Sequence, residues 1–317
     1  MVKQLASYRP YVTGNMSDGD LRNYDCFGSN TDFKRWGPPT YRSIFAGPCC
    51  SRKAKAARQQ PSRALSPKRG VGDGHRTCTP GDLVSLRELA WYYNWALTPN
   101  CTSAEATSVP QFVPMVWGED QVAQLANVSV APASRHLLAF NEPNLRSQSN
   151  LTAVEACALW PRVLEFARRH NLSVGSPAVN HCTPTPHNDN CVRSPTDWLD
   201  ELFALGGCGR ETVQFITTHK YGCNATDTVE YVRDLSARYG KPVWLTEFSC
   251  QWAPVPKQIA YQQELLPMLD ALPSSVMERY AWFAAHPGAD AGRADALLMP
   301  PPSAELTRLG QNYLGRA

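Results

Sequence analysis

Two glutamates stand where a carboxylate is costly. Glu142 closes the run Leu137-Leu138-Ala139-Phe140-Asn141 and precedes Pro143, and Glu247 closes Pro242-Val243-Trp244-Leu245-Thr246 and precedes Phe248. Both runs are apolar and β-prone, so each carboxylate ends a buried strand and needs a function or a partner to offset its desolvation. A pair of this kind suits glycoside chemistry. One carboxylic acid protonates the departing oxygen, while the other carboxylate attacks the anomeric carbon or activates water. A lone glutamate at such a place has a plainer reading, as a helix-entry acid or half of a surface ion pair. The two together favour chemistry.

Other strand-like runs end the same way, in Asn94-Trp95, in Trp117 and in His219-Lys220-Tyr221. Sugar rings present C–H faces that stack on indoles, so a row of tryptophans at strand ends suits a glycan groove. Trp95, Trp117 and Trp282 are the expected platforms, with Trp252 a weaker candidate; Trp160, Trp198 and Trp244 lie within element bodies and read as core. His219 and Tyr221 are placed to orient Glu247 or to touch the sugar. The bland alternative for both is a packed loop residue. Gly70-Val71-Gly72-Asp73-Gly74 lacks the Lys-Ser/Thr of a phosphate loop and the spacing of a dinucleotide fingerprint. No Gly-x-Ser-x-Gly or His-Glu-x-x-His occurs, and the seven histidines are scattered. Hydrolysis with neither metal nor cofactor is the simplest expectation.

Strand ends must be gathered to make a site. From Lys68 onward, short β-prone runs alternate with helix-like ones, the pattern of βα units on a parallel sheet. The expected strands are 69–72, 91–95, 112–117, 137–141, 173–176, 213–219, 243–247 and 280–283. The expected helices include 80–88, 154–170, 198–204, 228–239 and 259–272. Eight strands predict a closed (β/α)8 TIM barrel over residues 68–317, whose active site lies at the strand C-termini. Residues 1–67 read as an irregular N-terminal extension, basic and rich in Gln, Ser and Pro from Ser51 to Pro67.

Composition narrows the setting. The 317 residues are 43% hydrophobic and carry a formal charge of +3, concentrated as Lys and Arg in the first 80 residues. That balance gives no reason to expect nucleic acid or an anionic membrane as partner, and no apolar run is long enough to span a bilayer. Eleven cysteines, eight of them from Cys78 onward, predict disulfides in an oxidising compartment. Sequons at Asn15, Asn100, Asn127, Asn150, Asn171 and Asn224 agree. The N-terminal residues lack the apolar stretch of a signal peptide, which conflicts with this reading; the cysteines and sequons outweigh it. The expectation is a secreted, extracellular monomer, associated with a cell wall.

The chain resembles glycoside hydrolase family 128, the alkali-sensitive-linkage protein type. The resemblance rests on Tyr92-Tyr93-Asn94-Trp95, Phe112–Gly118, Leu138–Asn144, Val174–Ala178, His219-Lys220-Tyr221-Gly222 and Pro242–Phe248, in the family's order. It implies endo-β-1,3-glucanase activity with retention of configuration, a β-1,3-glucan substrate, Glu142 as acid/base and Glu247 as nucleophile. Asn141 is then expected to bind the sugar 2-hydroxyl. Lys220 departs from the pattern, and either contacts substrate or faces solvent. Two other readings stay open: a glycosidase acting on another β-glycan, and a non-hydrolytic glucan-binding wall protein.

Overall fold

The computed structural model describes residues 65–73, 80–99, 110–286 and 295–316. The extension up to Ala64, the cysteines at 26, 49, 50, 78 and 101, and the sequons at Asn15 and Asn100 lie outside the described residues.

Nine β segments form one parallel sheet: β1 (Arg69–Gly72), β2 (Trp91–Tyr93), β3 (Gln111–Phe112), β4 (Met115–Val116), β5 (His136–Asn141), β6 (Ser173–Asn180), β7 (Ile216–Tyr221), β8 (Val243–Ser249) and β9 (Met277–Phe283). Their order around the sheet is β3-β2-β1-β9-β8-β7-β6-β5-β4. The two ends of that order, β3 and β4, are separated in sequence only by Val113-Pro114. Proline has no N–H to give the ladder, so it interrupts one strand into two segments. The flanking bonds hold across the break, from Val113 N to Tyr92 O and from Leu138 N to Pro114 O, both 2.9 Å. Nine segments thus make eight strands, and the sheet closes through residues 111–116.

Helices follow most strands: α1 (Pro80–Ser85), α2 (Glu119–Val122), α3 (Ala153–His170), α4 (Pro195–Ala204), α5 (Ala225–Tyr239), α6 (Val255–Ala271) and α7 (Arg308–Tyr313). Local chemistry sets their ends. Thr152 and Glu155 form a reciprocal capping box on α3, which stops at left-handed Asn171. Ser194 caps α4 ahead of Pro195, and Asn224 caps α5, which ends at Gly240 with φ +63°. These caps start α4 and α5 three residues before the sequence-based bounds. The expected third strand proves to be broken, and the second stops at Tyr93, leaving Asn94 and Trp95 in the following loop.

Side chains alternate between two cores. Trp91, Tyr93, Leu138, Phe215, Trp244 and Ala281 belong to the cluster inside the barrel, while Tyr92, Leu137, Ala139, Val243, Leu245 and Trp282 belong to the larger one against the helices. Phe215 stacks on Trp244 at 4.2 Å, and the Arg279 guanidinium lies 4.6 Å over the Trp244 ring. Among the described residues three disulfides, Cys157–Cys208, Cys182–Cys191 and Cys223–Cys250, tie the periphery.

Room for the inner indoles comes from glycine on β1. A Cβ on Gly70 would meet the Trp91 indole at 2.7 Å or less. Gly70→Ala should therefore destabilise the barrel by about 1–3 kcal/mol, the usual cost of overpacking, read as an earlier denaturant midpoint. An unchanged midpoint would contradict this account of the barrel interior.

Candidate active site

The mouth of the barrel, at the strand C-termini, holds an open cleft of about 630 Å³ lined by residues that include Trp95, Trp117, Asn141, Glu142, Asn180, His181, Tyr221, Glu247 and Phe283. Glu142 and Glu247 face each other across His219. One ligand atom from each of these three buried residues lies within 4.8 Å of the other two.

Two irregularities aim the carboxylates. On β8, Leu245 pairs with Thr218 and Glu247 with His219, so Thr246 is an extra residue. The bulge moves Glu247 onto the inward face three residues after inward Trp244, where strict alternation would have placed Thr246. On β5, Ala139 pairs with Pro177 and Asn141 with Ala178, leaving Phe140 as the extra residue. Phe140 turns out against Trp160 at 5.9 Å. Phe140, Glu142 and Trp95 all have left-handed backbones, with φ of +21°, +43° and +58°. Such conformations cost about 1–3 kcal/mol each and gather where surrounding structure imposes them. Glu142 N is held by Ala178 O at 2.8 Å.

The two carboxylates are solvated by protein in different ways. Glu247 accepts from Trp95 Nε1 at 2.8 Å and from Tyr93 Oη at 3.2 Å on Oε1, and from the Tyr221 hydroxyl on Oε2. Both hydrogen bonds to Glu142, from Asn180 Nδ2 at 2.6 Å and with His219 Nδ1 at 2.7 Å, fall on Oε1. Among the described residues, Oε2 of Glu142 accepts none.

Electrostatics couples them. Burial raises the Glu247 carboxyl above its ordinary range and Glu142 adds to this, against the opposing pull of His219, Tyr221 and Trp95. Burial alone would push His219 down, but Glu247 and Glu142 reverse that and hold the imidazole above its usual value. Burial, reinforced by Glu247, pushes the Tyr93 and Tyr221 hydroxyls well up, so both remain donors. Glu247 and His219 are thereby linked, so that a proton gained by one changes the other. Their spacing could admit a metal ion, yet the N–H and O–H groups of Asn180, Trp95 and Tyr221 already aim hydrogens at the oxygens that a cation would need. This donor set suits carboxylate acid–base work.

The comparisons with known proteins agree with this geometry. The family model described as glycosyl hydrolase catalytic core matches residues 80–313. A family 128 subgroup II endo-β-1,3-glucanase from Sorangium cellulosum is 34% identical, with a TM-score of 0.68 over 79% of this chain and 98% of that one. The chain belongs to glycoside hydrolase family 128. It is also similar to the subgroup I endo-β-1,3-glucanase of Amycolatopsis mediterranei, in complex with laminaritriose, at 28% identity and a TM-score of 0.62 over 79% of this chain and all of that one. Alkali-sensitive linkage protein 1 of Schizosaccharomyces pombe is 27% identical over 243 residues, 71% of this chain and 40% of that protein's length.

Within this family 128 hydrolase the structure brings most of the sequence-predicted residues together. Glu142, Glu247, Asn141, Trp95, Trp117 and Tyr221 line the cleft, and His219 lies buried directly beneath it. Trp95 does more than offer a face, since its indole N–H holds Glu247. Trp282 requires correction. It is fully buried, donates to Asp295 O at 2.7 Å and packs against Phe248 and Tyr313 on the helix side of β9. Alternation sends its neighbour Phe283 into the cleft instead. Trp252 is 75% exposed and is not among the cleft-lining residues. Lys220 neither faces solvent nor lines the cleft; it is buried and paired with Asp227 at 2.7 Å.

Sequence reasoning missed Asn180, Tyr93, His181 and Phe283. The expected fifth strand ends at Ser176, just before Pro177, and so hides the Asn180-His181 strand end. Tyr93 was visible within the quoted Tyr92–Trp95 segment but was assigned no role.

Removing a donor to a buried charge typically costs about 1.5–3 kcal/mol. Trp95→Phe and Tyr221→Phe should therefore each lower kcat by roughly 10- to 100-fold with the fold intact. Circular dichroism and single-substrate kinetics check this; full activity in both would refute the support assigned to Glu247.

Proposed function

We propose that this hydrolase is an endo-acting β-1,3-glucanase that retains anomeric configuration, with Glu247 as nucleophile and Glu142 as acid/base. The observation that carries the proposal is that one oxygen of each carboxylate lies within 4.8 Å of one oxygen of the other, which leaves little room for a water between them. Retaining enzymes hold their carboxyl groups about 5–5.5 Å apart, whereas inverting ones leave room for a water at about 6.5–9.5 Å. The substrate class rests on the β-1,3-glucanase relatives from Sorangium cellulosum and Amycolatopsis mediterranei.

The donors divide the roles. Burial pulls Glu247 toward its protonated form, but His219, the Trp95 indole N–H and the tyrosine hydroxyls oppose this and favour the carboxylate that attacks the anomeric carbon. Glu142 carries its proton on Oε2 and gives it to the departing glucosyl oxygen. Glu142 then removes a proton from the water that displaces Glu247. His219, between the two, holds positive charge near both carboxylates as the proton leaves and returns. Asn141 lines the cleft with a buried, unpartnered Oδ1, while its Nδ2 donates to Gln148 at 3.1 Å. The place of Asn141 in the cleft lining, next to Glu142, suits it to the sugar 2-hydroxyl, a contact that strengthens toward the transition state. Trp117 and Phe283 offer ring faces to the glucan.

Residues 68–317 are the catalytic domain in this reading. Three disulfides, and sequons at Asn127, Asn150, Asn171 and Asn224 that are all exposed, support a secreted glycoprotein. No helix among the described residues is long and apolar enough to cross a membrane.

The first product released from a linear β-1,3-glucan should be the β-anomer by proton NMR. Glu142→Gln and Glu247→Gln should each slow its release by at least about a hundredfold. An α-anomer would sink the retaining mechanism, and cleavage of β-1,4-glucan alone would sink the substrate.

A further inference from the structure

Behind the cleft wall lies a buried cation that the proposed chemistry does not use. Lys220 is only 4% exposed, although ammonium groups are almost never buried without cause. Its Nζ meets Asp227 Oδ2 at 2.7 Å and lies 5.5 Å over the Tyr231 ring. Its remaining contact is with His181, at 3.3 Å from each ring nitrogen. His181 lines the cleft beside Asn180, the residue that holds Glu142, and its ring meets Tyr231 edge-on at 4.6 Å.

We propose that His181 is a substrate-binding residue that donates a hydrogen bond to a glucosyl hydroxyl, and that Lys220, anchored by Asp227, is the positioning residue that sets it for this task. The inference rests on the proposed β-1,3-glucan reading. Its logic is one of charge. An ammonium 3.3 Å from both ring nitrogens disfavours a second positive charge, so the imidazole is neutral. A neutral imidazole keeps one N–H. His181 lines the cleft, where a sugar hydroxyl is within reach of that donor. Burial and then Lys220 lower the His181 pKa, against a smaller opposing effect of Asp227, which agrees with a neutral ring. Tyr231 and Asp227 come from α5 and Lys220 from β7, so the imidazole is gripped from two elements. A neutral donor of fixed direction suits a neutral sugar hydroxyl.

The test uses the full chain and a β-1,3-linked glucohexaose. Binding is measured by calorimetry in the Glu247→Gln background, where turnover does not interfere, and KM and kcat are measured in the otherwise wild-type enzyme. His181→Ala should raise Kd and KM roughly three- to tenfold, the size of one neutral hydrogen bond, with a smaller change in kcat. His181→Gln, which keeps a donor, should recover part of that loss. Lys220→Met should weaken binding in the same direction, and the double variant should bind no worse than His181→Ala alone, because Lys220 acts through His181. Unchanged Kd and KM in a folded His181→Ala protein would overturn the proposal, as would additive losses in the double variant. If Glu247→Gln itself binds no β-1,3-glucohexaose, the glucanase reading fails and this inference fails with it. Firm hexaose binding that His181→Ala leaves untouched would remove the inference alone.

Discussion

Two carboxylates and an imidazole share one buried volume at the barrel mouth, and their charge is the constraint to which the rest of the site answers. Such groups cannot be desolvated without hydrogen bonds and opposite charge to replace water. Here the replacements converge from several strands: Tyr93 from β2, Trp95 from the loop after it, Asn180 from β6, and His219 and Tyr221 from β7. A parallel barrel is well suited to this, because every strand delivers its C-terminal residues to the same mouth. The Cys223–Cys250 disulfide joins the segments just past Tyr221 and Glu247, next to the donor and the carboxylate it serves.

Direction matters as much as convergence. The inward face of a strand is fixed by alternation, and alternation alone would put Thr246 where Glu247 is needed. The bulge at Thr246 and the one at Phe140 correct the aim at the expense of ladder regularity. Space is arranged with similar economy. Gly72 on β1 leaves room for the Trp95 ring, whose Cη2 would lie 2.7 Å from any Cβ there. A bond from the indole to Glu247 therefore depends on a missing methyl group two strands away.

Much of the architecture was legible from the chain. Short apolar runs alternating with helical ones predicted the barrel, and a polar or aromatic residue at the end of several runs marked the mouth. Glu142, Asn141 and Glu247 could be read because a charge or amide after five apolar residues stands out. What stayed hidden was parity. Trp282 and Phe283 are adjacent aromatics on β9, and only the register decides which of them faces the cleft. Pro177 concealed the extension of β6 to Asn180, since a proline usually argues against strand interior. Lys220 was misjudged for a different reason: its partner Asp227 is a short step along the chain, but only the turn from β7 into α5 brings the two together.

The central claim is that Glu247 forms the covalent bond to the sugar. The most direct measurement is to incubate the protein with an activated 2-deoxy-2-fluoro β-glucoside or β-1,3-linked disaccharide, which slows turnover of a glycosyl-enzyme, and to map the added mass by peptide mass spectrometry. The account predicts a single glycosyl adduct on the peptide carrying Glu247, absent in Glu247→Gln and still formed in Glu142→Gln when the leaving group needs no acid assistance. An adduct on Glu142, or inactivation of the enzyme's turnover with no adduct at either carboxylate, would contradict it.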